Sequence, residues 1–161
     1  MGLTDKPLDD AFINRVKEEN EGSYPVGAIE LLTNLGIYMF FDAETGSLPA
    51  DYDNLITDFS KHSNGKLKDI LVWMDADRDP GSEKIRYRIT VIFNNKAYIA
   101  QPEDIGDWYD VEVVTKLINK ILADSGALEK FVFIETGDQN VAFLFAEESK
   151  VKMFGEKYKL Y

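Results

Sequence analysis

Between residues 85 and 93 the chain alternates without a break: Ile85, Tyr87, Ile89, Val91 and Phe93 fall on one side, Arg86, Arg88 and Thr90 on the other. Successive side chains of an extended backbone point to opposite faces, so this is the period of a half-buried β-strand. The apolar run 70–74 precedes it and reads as a partner strand, with the polar stretch DADRDPGSE as the link. Asn94, Asn95 and Lys96 then mark a tight turn, because asparagine tolerates the positive φ that a two-residue hairpin needs, and 97–100 follows as a third strand. Two more strands are expected at 131–135 and 141–146 around the turn GDQN, and Val151 to Phe154 or Tyr158 to Tyr161 would add a last one.

The helical period governs the remaining segments. Asp9 and Asp10 stand before Phe12, Ile13 and Val16, acids where a helix N-terminus favours them, which predicts a helix over 9–20. Pro25 suits a first helical position, and Val26, Ile29, Leu32 and Leu35 continue the spacing to Gly36, after which 37–41 reads as a buried strand. A third helix is expected from Pro49, with Tyr52, Leu55, Ile56 and Phe59 on one face and an end near Asn64 and Gly65. The fullest stripe runs over 110–125, where Val111, Val114, Leu117, Ile118, Ile121 and Leu122 share a face and Gly126 supplies the left-handed stop. The second half is thus β-β-β-α-β-β. The predicted class is α+β: a mostly antiparallel sheet with a helix on one face and the N-terminal helices packed on it.

At 161 residues, with no repeat, linker or low-complexity tract, the chain is expected to form a single domain over 1–161. A hydrophobic share of 45%, with 10 Phe, 8 Tyr and 2 Trp, supplies the core of a globular protein. There is no cysteine, so disulfides, thiolate metal sites and cysteine nucleophiles are excluded, and a reducing, cytoplasmic location is expected. The start MGLTDKPLDDAF lacks a basic region followed by an apolar run, so no secretory leader is expected, and Lys6 stands where a myristoylation signal wants Ser or Thr. The apolar run 36–41 is too short to span a bilayer. A formal charge of −11 argues against nucleic acid and anionic membrane as partners, since both reward a positive face.

Candidate chemistry is sparse. Asp75, Asp77 and Asp79 have the alternate spacing of a calcium loop, but Gly81 takes the seventh place rather than the sixth and Arg86 occupies the twelfth, where a bidentate Glu is required. Turn chemistry is therefore the preferred reading, and no metal or cofactor is expected. His62 is the one histidine and lies beside Ser60 and Ser63, with no nucleophile elbow, zinc-protease helix or phosphate loop in the chain; a polar residue at a helix C-terminus is preferred over a catalytic one. Arg86 and Arg88, with Lys84, are able to hold an anion but read first as a solvated sheet face.

The distribution of charge is more informative. Between Lys17 and Lys61 there is no basic residue, while Glu44, Asp51, Asp53 and six other acids occur. A second base-free window runs from Lys96 to Lys116, with Glu103, Asp104, Asp107 and Asp110 around Trp108 and Tyr109. Acids steer a basic partner and an exposed aromatic anchors it, which makes these six residues the candidate partner-binding site. The competing explanation is that the acids cap the following helix and Trp108 staples it to the sheet.

Leu48, Pro49 and Tyr52, followed by Asn64 and Gly65, resemble the L-P-x-x-Y helix and Asn-Gly of SUKH-like immunity-type domains, many of which serve as toxin-immunity proteins. The resemblance spans residues 48–65 and implies a non-enzymatic cytoplasmic protein that binds a partner; no binding residue is carried over from it. The reading that results is a non-catalytic acidic protein-binding domain, an inhibitor or immunity protein for a basic partner. The alternatives are a small enzyme or ligand-binding domain with its site between sheet and helices, and an acidic secretion-type chaperone with an exposed apolar groove.

Overall fold

A computed structural model describes residue 3 and residues 9–19, 27–78 and 80–158, with residues 157 and 158 described by backbone alone. In chain order these form α1 (Asp10–Glu19), α2 (Ala28–Asn34), β1 (Tyr38–Asp42), α3 (Tyr52–Lys61), β2 (Leu71–Arg78), β3 (Ile85–Phe93), β4 (Lys96–Ala100), α4 (Val111–Asp124), β5 (Lys130–Ile134), β6 (Asn140–Ala146) and α5 (Glu148–Tyr158). The class is α+β, with two three-stranded antiparallel sheets where a single sheet was expected. One has the order β2-β3-β4; the other, β1-β6-β5, takes its first strand from the N-terminal half of the chain.

The regular periods hold most closely. β3 buries alternate residues from Ile85 to Phe93, and α4 buries Val114, Leu117, Ile118, Ile121 and Leu122. The hairpin between β3 and β4 closes on Asn94 and Asn95, both with positive φ (49° and 60°), as the turn type demands.

Several boundaries differ, for identifiable reasons. β2 runs on through Asp75, Asp77 and Arg78, because in the antiparallel register Asp75 stands opposite Arg88 and Asp77 opposite Arg86. Opposite charges across a ladder support pairing, so half of the polar link is strand. β1 is an edge strand rather than a buried one: Met39 is buried, whereas Phe40 is exposed. α3 begins at Tyr52, with Asp51 in the N-cap position, so Pro49 lies outside it. In α2, Leu32 is buried but Ile29 faces solvent; the expected opening at Pro25 and Val26 lies outside the described residues. The last expected strand is instead helix α5, which buries Val151 and is tied to β5 by the Lys130–Glu148 ion pair at 2.7 Å; residues 159–161 lie outside the described residues.

The core is continuous and lies between the sheets and α3 and α4. β6, flanked by β1 and β5, is buried at every position from Val141 to Ala146. Phe59 of α3, fully buried, sits with its ring edge-on to that of Phe131 at 4.8 Å and tilted against that of Phe143 at 5.3 Å. Seven residues earlier on the same helix, Tyr52 meets Tyr87 of β3 edge-on at 5.1 Å. α3 thus touches both sheets. α4 does so as well: it packs on β4 and β5, and its Asn119 side chain donates to the Phe131 carbonyl (2.9 Å) while accepting from the Phe131 N–H (2.8 Å). Asn119 therefore stands in for a neighbouring strand at the free edge of β5.

The other face of the β2-β3-β4 sheet is open. Leu71, Trp73 and Ile99 are about half exposed there, at 54, 51 and 53%. The same face continues through Thr90 and Ile92 into Arg86 and Arg88 and, on β2, into Asp75 and Asp77.

Two substitutions test this account of the core. Phe59→Ala should lower unfolding free energy by about 3–5 kcal/mol through the cavity it opens between α3 and β5-β6. Asn119→Ala should lower it by about 1–3 kcal/mol by leaving the Phe131 backbone groups without partners. Urea denaturation of each variant beside the parent chain measures both.

Candidate functional site

The segment 101–110, between β4 and α4, is irregular but closely held. Asp104 accepts through Oδ2 from the Ile85 N–H (2.6 Å) and through Oδ1 from the Gly106 N–H (3.1 Å), a local turn that Gly106 permits with a φ of 80°. Asp110 caps α4 by accepting from the Val113 N–H (3.2 Å), and its other oxygen accepts from the Glu103 N–H (3.0 Å). Both ends of the segment are therefore fastened by carboxylates.

Its middle is fastened to the first acidic window. Trp108 forms an isolated antiparallel bridge with Glu44; the Thr45 N–H donates to the Asp107 carbonyl (2.5 Å) and the Tyr109 N–H to the Ala43 carbonyl (2.9 Å). The Tyr109 hydroxyl donates to the Asp51 carboxylate, and the Asp110 N–H donates to the Tyr52 hydroxyl (2.9 Å). Tyr109 also packs edge-on against Tyr52 at 5.3 Å and Phe41 at 6.2 Å. The two base-free windows, some sixty residues apart in the chain, thus form one surface.

The structure divides the six candidate residues into two groups. Asp104, Asp110 and Tyr109 spend their side chains on holding the segment. Glu103, Asp107 and Trp108 remain at the surface, Trp108 with 37% of its area exposed. The fold adds two members that the sequence leaves unmarked: Glu44, which the sequence shows only as one acid of the first window, and Ile105, an exposed apolar neighbour of Trp108 in the chain. An isolated bridge leaves no period in the sequence, so only the shared absence of bases hinted that the windows belong together.

The environment perturbs three acidic groups here. Burial works against the Asp51 charge, but hydrogen bonds from Asn54 and Tyr109 outweigh it and hold the carboxyl below its ordinary value. Burial, and then the hydrogen bond to Asp51, raise the Tyr109 phenol well above its usual range. The Tyr52 phenol is pushed up to about 12, chiefly by burial and further by the nearby Asp110 and Tyr87, against the lowering effect of the Asp110 N–H.

The other candidates are placed in structural roles. The His62 ring follows the last turn of α3 and donates from Nδ1 to the Asp58 carbonyl (2.8 Å). The Ser60 and Ser63 hydroxyls donate to the carbonyls of Leu67 (2.8 Å) and Ser60 (2.6 Å), so neither is aimed at the histidine. Asp75 and Asp77 occupy alternate positions of β2 rather than a loop that wraps a cation, and Asp79 lies outside the described residues. Among the described residues no three of His, Asp or Glu converge as metal ligands would. Arg86 and Arg88 stand on the open sheet face opposite Asp77 and Asp75; Lys84 lies just before β3. One cleft, lined by Leu3, Ile37, Asn64, Glu129, Phe145, Glu147 and Lys150, has a volume of about 50 Å³, well below the roughly 300–1,000 Å³ of small-molecule pockets. Among the described residues no helix is long and apolar enough to cross a membrane. No protein-family model, curated protein or solved structure matches the chain.

The raised phenols give the site a signature at high pH. A neutral Tyr52 in the fold, against an ordinary value of 10.0, contributes stability that is complete below that value and is lost as pH rises towards about 12. Urea midpoints measured across this interval should fall, and Tyr52→Phe should make the fall shallower.

Proposed function

We propose that this chain is a non-catalytic acidic protein-binding domain that engages a basic protein partner through Glu44, Glu103, Asp107 and Trp108. The observation that carries this reading is the bridge between Glu44 and Trp108, which puts a part-exposed indole on the seam of two base-free segments. An acidic field accelerates the approach of a basic protein, and a partly exposed Trp supplies the apolar contact that charge alone does not. The segment is already ordered by hydrogen bonds to Ala43, Thr45, Asp51 and Tyr52, so little conformational entropy is lost when a partner docks.

The finer reading is an inhibitor or toxin-immunity protein acting in the cytoplasm. It draws on the resemblance of residues 48–65 to SUKH-like domains. Two residues of that stretch, Asp51 and Tyr52, are the ones that hold the 101–110 segment in place. A basic enzyme whose active cleft recognises anions is the kind of target an acidic, pre-ordered surface blocks.

The test is capture from a lysate of the native cell on the immobilised domain, beside an Asp107→Ala/Trp108→Ala variant, at low and high salt. A basic protein should be retained at low salt, released at high salt, and held at least about tenfold more weakly by the variant, as expected for loss of a hot-spot side chain. Equal retention by the variant would remove these residues from the interface. Retention that salt does not alter would remove the electrostatic basis of the reading.

A further inference from the structure

The open face of the β2-β3-β4 sheet is separate in its residues from the surface around Trp108, and its register carries a further inference. Four levels run along it: Leu71 opposite Ile92, Trp73 opposite Thr90, Asp75 opposite Arg88, and Asp77 opposite Arg86. At the first two levels Leu71 and Trp73 are about half exposed, and Ile99, beside Thr90 on β4, is exposed to the same degree. At the last two, each acid on β2 stands level with an arginine on β3. A row of large exposed apolar side chains on a sheet is a place where another surface binds.

The geometry points to a second copy of this chain as the occupant, packed face to face about a two-fold axis that runs parallel to the strands midway between β2 and β3. Such an axis exchanges the two columns at every level. Asp75 then meets Arg88 of the second copy, Asp77 meets Arg86, the Trp73 indole lies over the smaller Thr90, and Leu71 lies over Ile92. Ile99 falls outside the second copy's β2 and closes the flank of its indole. Each contact occurs twice, as a two-fold interface requires: the charged levels pair opposite signs, Trp73 covers the smaller Thr90, and Leu71 meets the aliphatic Ile92. Sheets stack face to face about 10 Å apart with strands within about 30° of alignment, which this axis satisfies.

The charge pattern selects this occupant over others. A basic partner would meet Arg86 and Arg88; an acidic one would meet Asp75, Asp77 and the field of a chain that carries −11. The face itself sums to zero in alternating columns, and the surface that matches two such columns is the same surface rotated. A three-stranded face is a small interface, so the dimer is expected to be weak and concentration-dependent.

Sedimentation equilibrium of the full chain, up to about 1 mM so that a weak affinity is reached, tests the proposal. The parent chain should shift from monomer to dimer mass with concentration, and Trp73→Ser should weaken association at least about tenfold. Asp75→Arg/Asp77→Arg and Arg86→Asp/Arg88→Asp should each remain monomeric alone, since each places like charges face to face. Mixed in equal amounts, they should recover dimer mass as a heterodimer. Far-ultraviolet circular dichroism checks that the charge variants are folded; if either is not, Trp73→Ser decides the matter. A parent chain that stays monomeric throughout overturns the proposal. So does a dimer that survives Trp73→Ser, or a pair of folded charge variants that fail to associate on mixing.

Discussion

The two sheets share no ladder, and what makes one body of them is the contact that α3 makes with each. Tyr52 and Phe59 are seven residues apart, two turns of helix, so both point from the same face. The first meets Tyr87 in the β2-β3-β4 sheet and the second meets Phe131 and Phe143 in the other. Offset and edge-on ring contacts of this kind add about 0.5–1.5 kcal/mol each beyond the area they bury. The contacts are also directional, so they set the angle at which the sheets meet. α4 repeats the device on the neighbouring side, with Asn119 as its polar clasp on β5.

The acidic surface depends on that joint. Tyr52 opens α3 and offers its hydroxyl to the Asp110 N–H, while Asp51, one residue earlier, receives the Tyr109 hydroxyl. The helix that couples the sheets therefore also seats the segment that presents Trp108. Acids that ordinarily repel are brought side by side here because backbone hydrogen bonds to Ala43 and Thr45 and two tyrosine hydroxyls offset the repulsion. Asp104 and Asp110 show the structural share of the acidity: they hold backbone N–H groups. Glu44, Glu103 and Asp107 are the share left to face a partner.

What the sequence made legible was whatever has a period or a stereotyped turn. β3, α4 and the Asn94-Asn95 hairpin follow from local chemistry, and they appear where expected. The partition into two sheets was not legible, because the pairing of β1 with β6 is decided by tertiary packing and leaves no local mark. β2 outlasted its apolar run because the stabilising partners of Asp75 and Asp77, Arg88 and Arg86, lie across the ladder rather than nearby on the same strand. α5 was misread as strand because Val151, Met153 and Phe154 are apolar at spacings that either period tolerates; packing of Val151 into the core decided it. At the site, the acids and Trp108 were visible as composition. The joining of the two windows was not, since a single bridge and a tyrosine–carboxylate bond depend on how α3 is placed.

The pairing of β1 with β6 also orders events in time. Residues 38–42 have no ladder partner until residues 140–144 are made, whereas β2, β3 and β4 are successive hairpin neighbours. A chain emerging from the ribosome can complete the local sheet while the N-terminal β1 is still unpartnered, and closing the long-range pair is the slow, entropically costly step. Until β6 arrives, β1 has no ladder partner and the ring of Phe59 lacks its contact with Phe143. The nascent protein therefore passes through an interval in which the β1 side of its core is open to chaperones or to aggregation, and that interval ends only once residues 140–144 have been made.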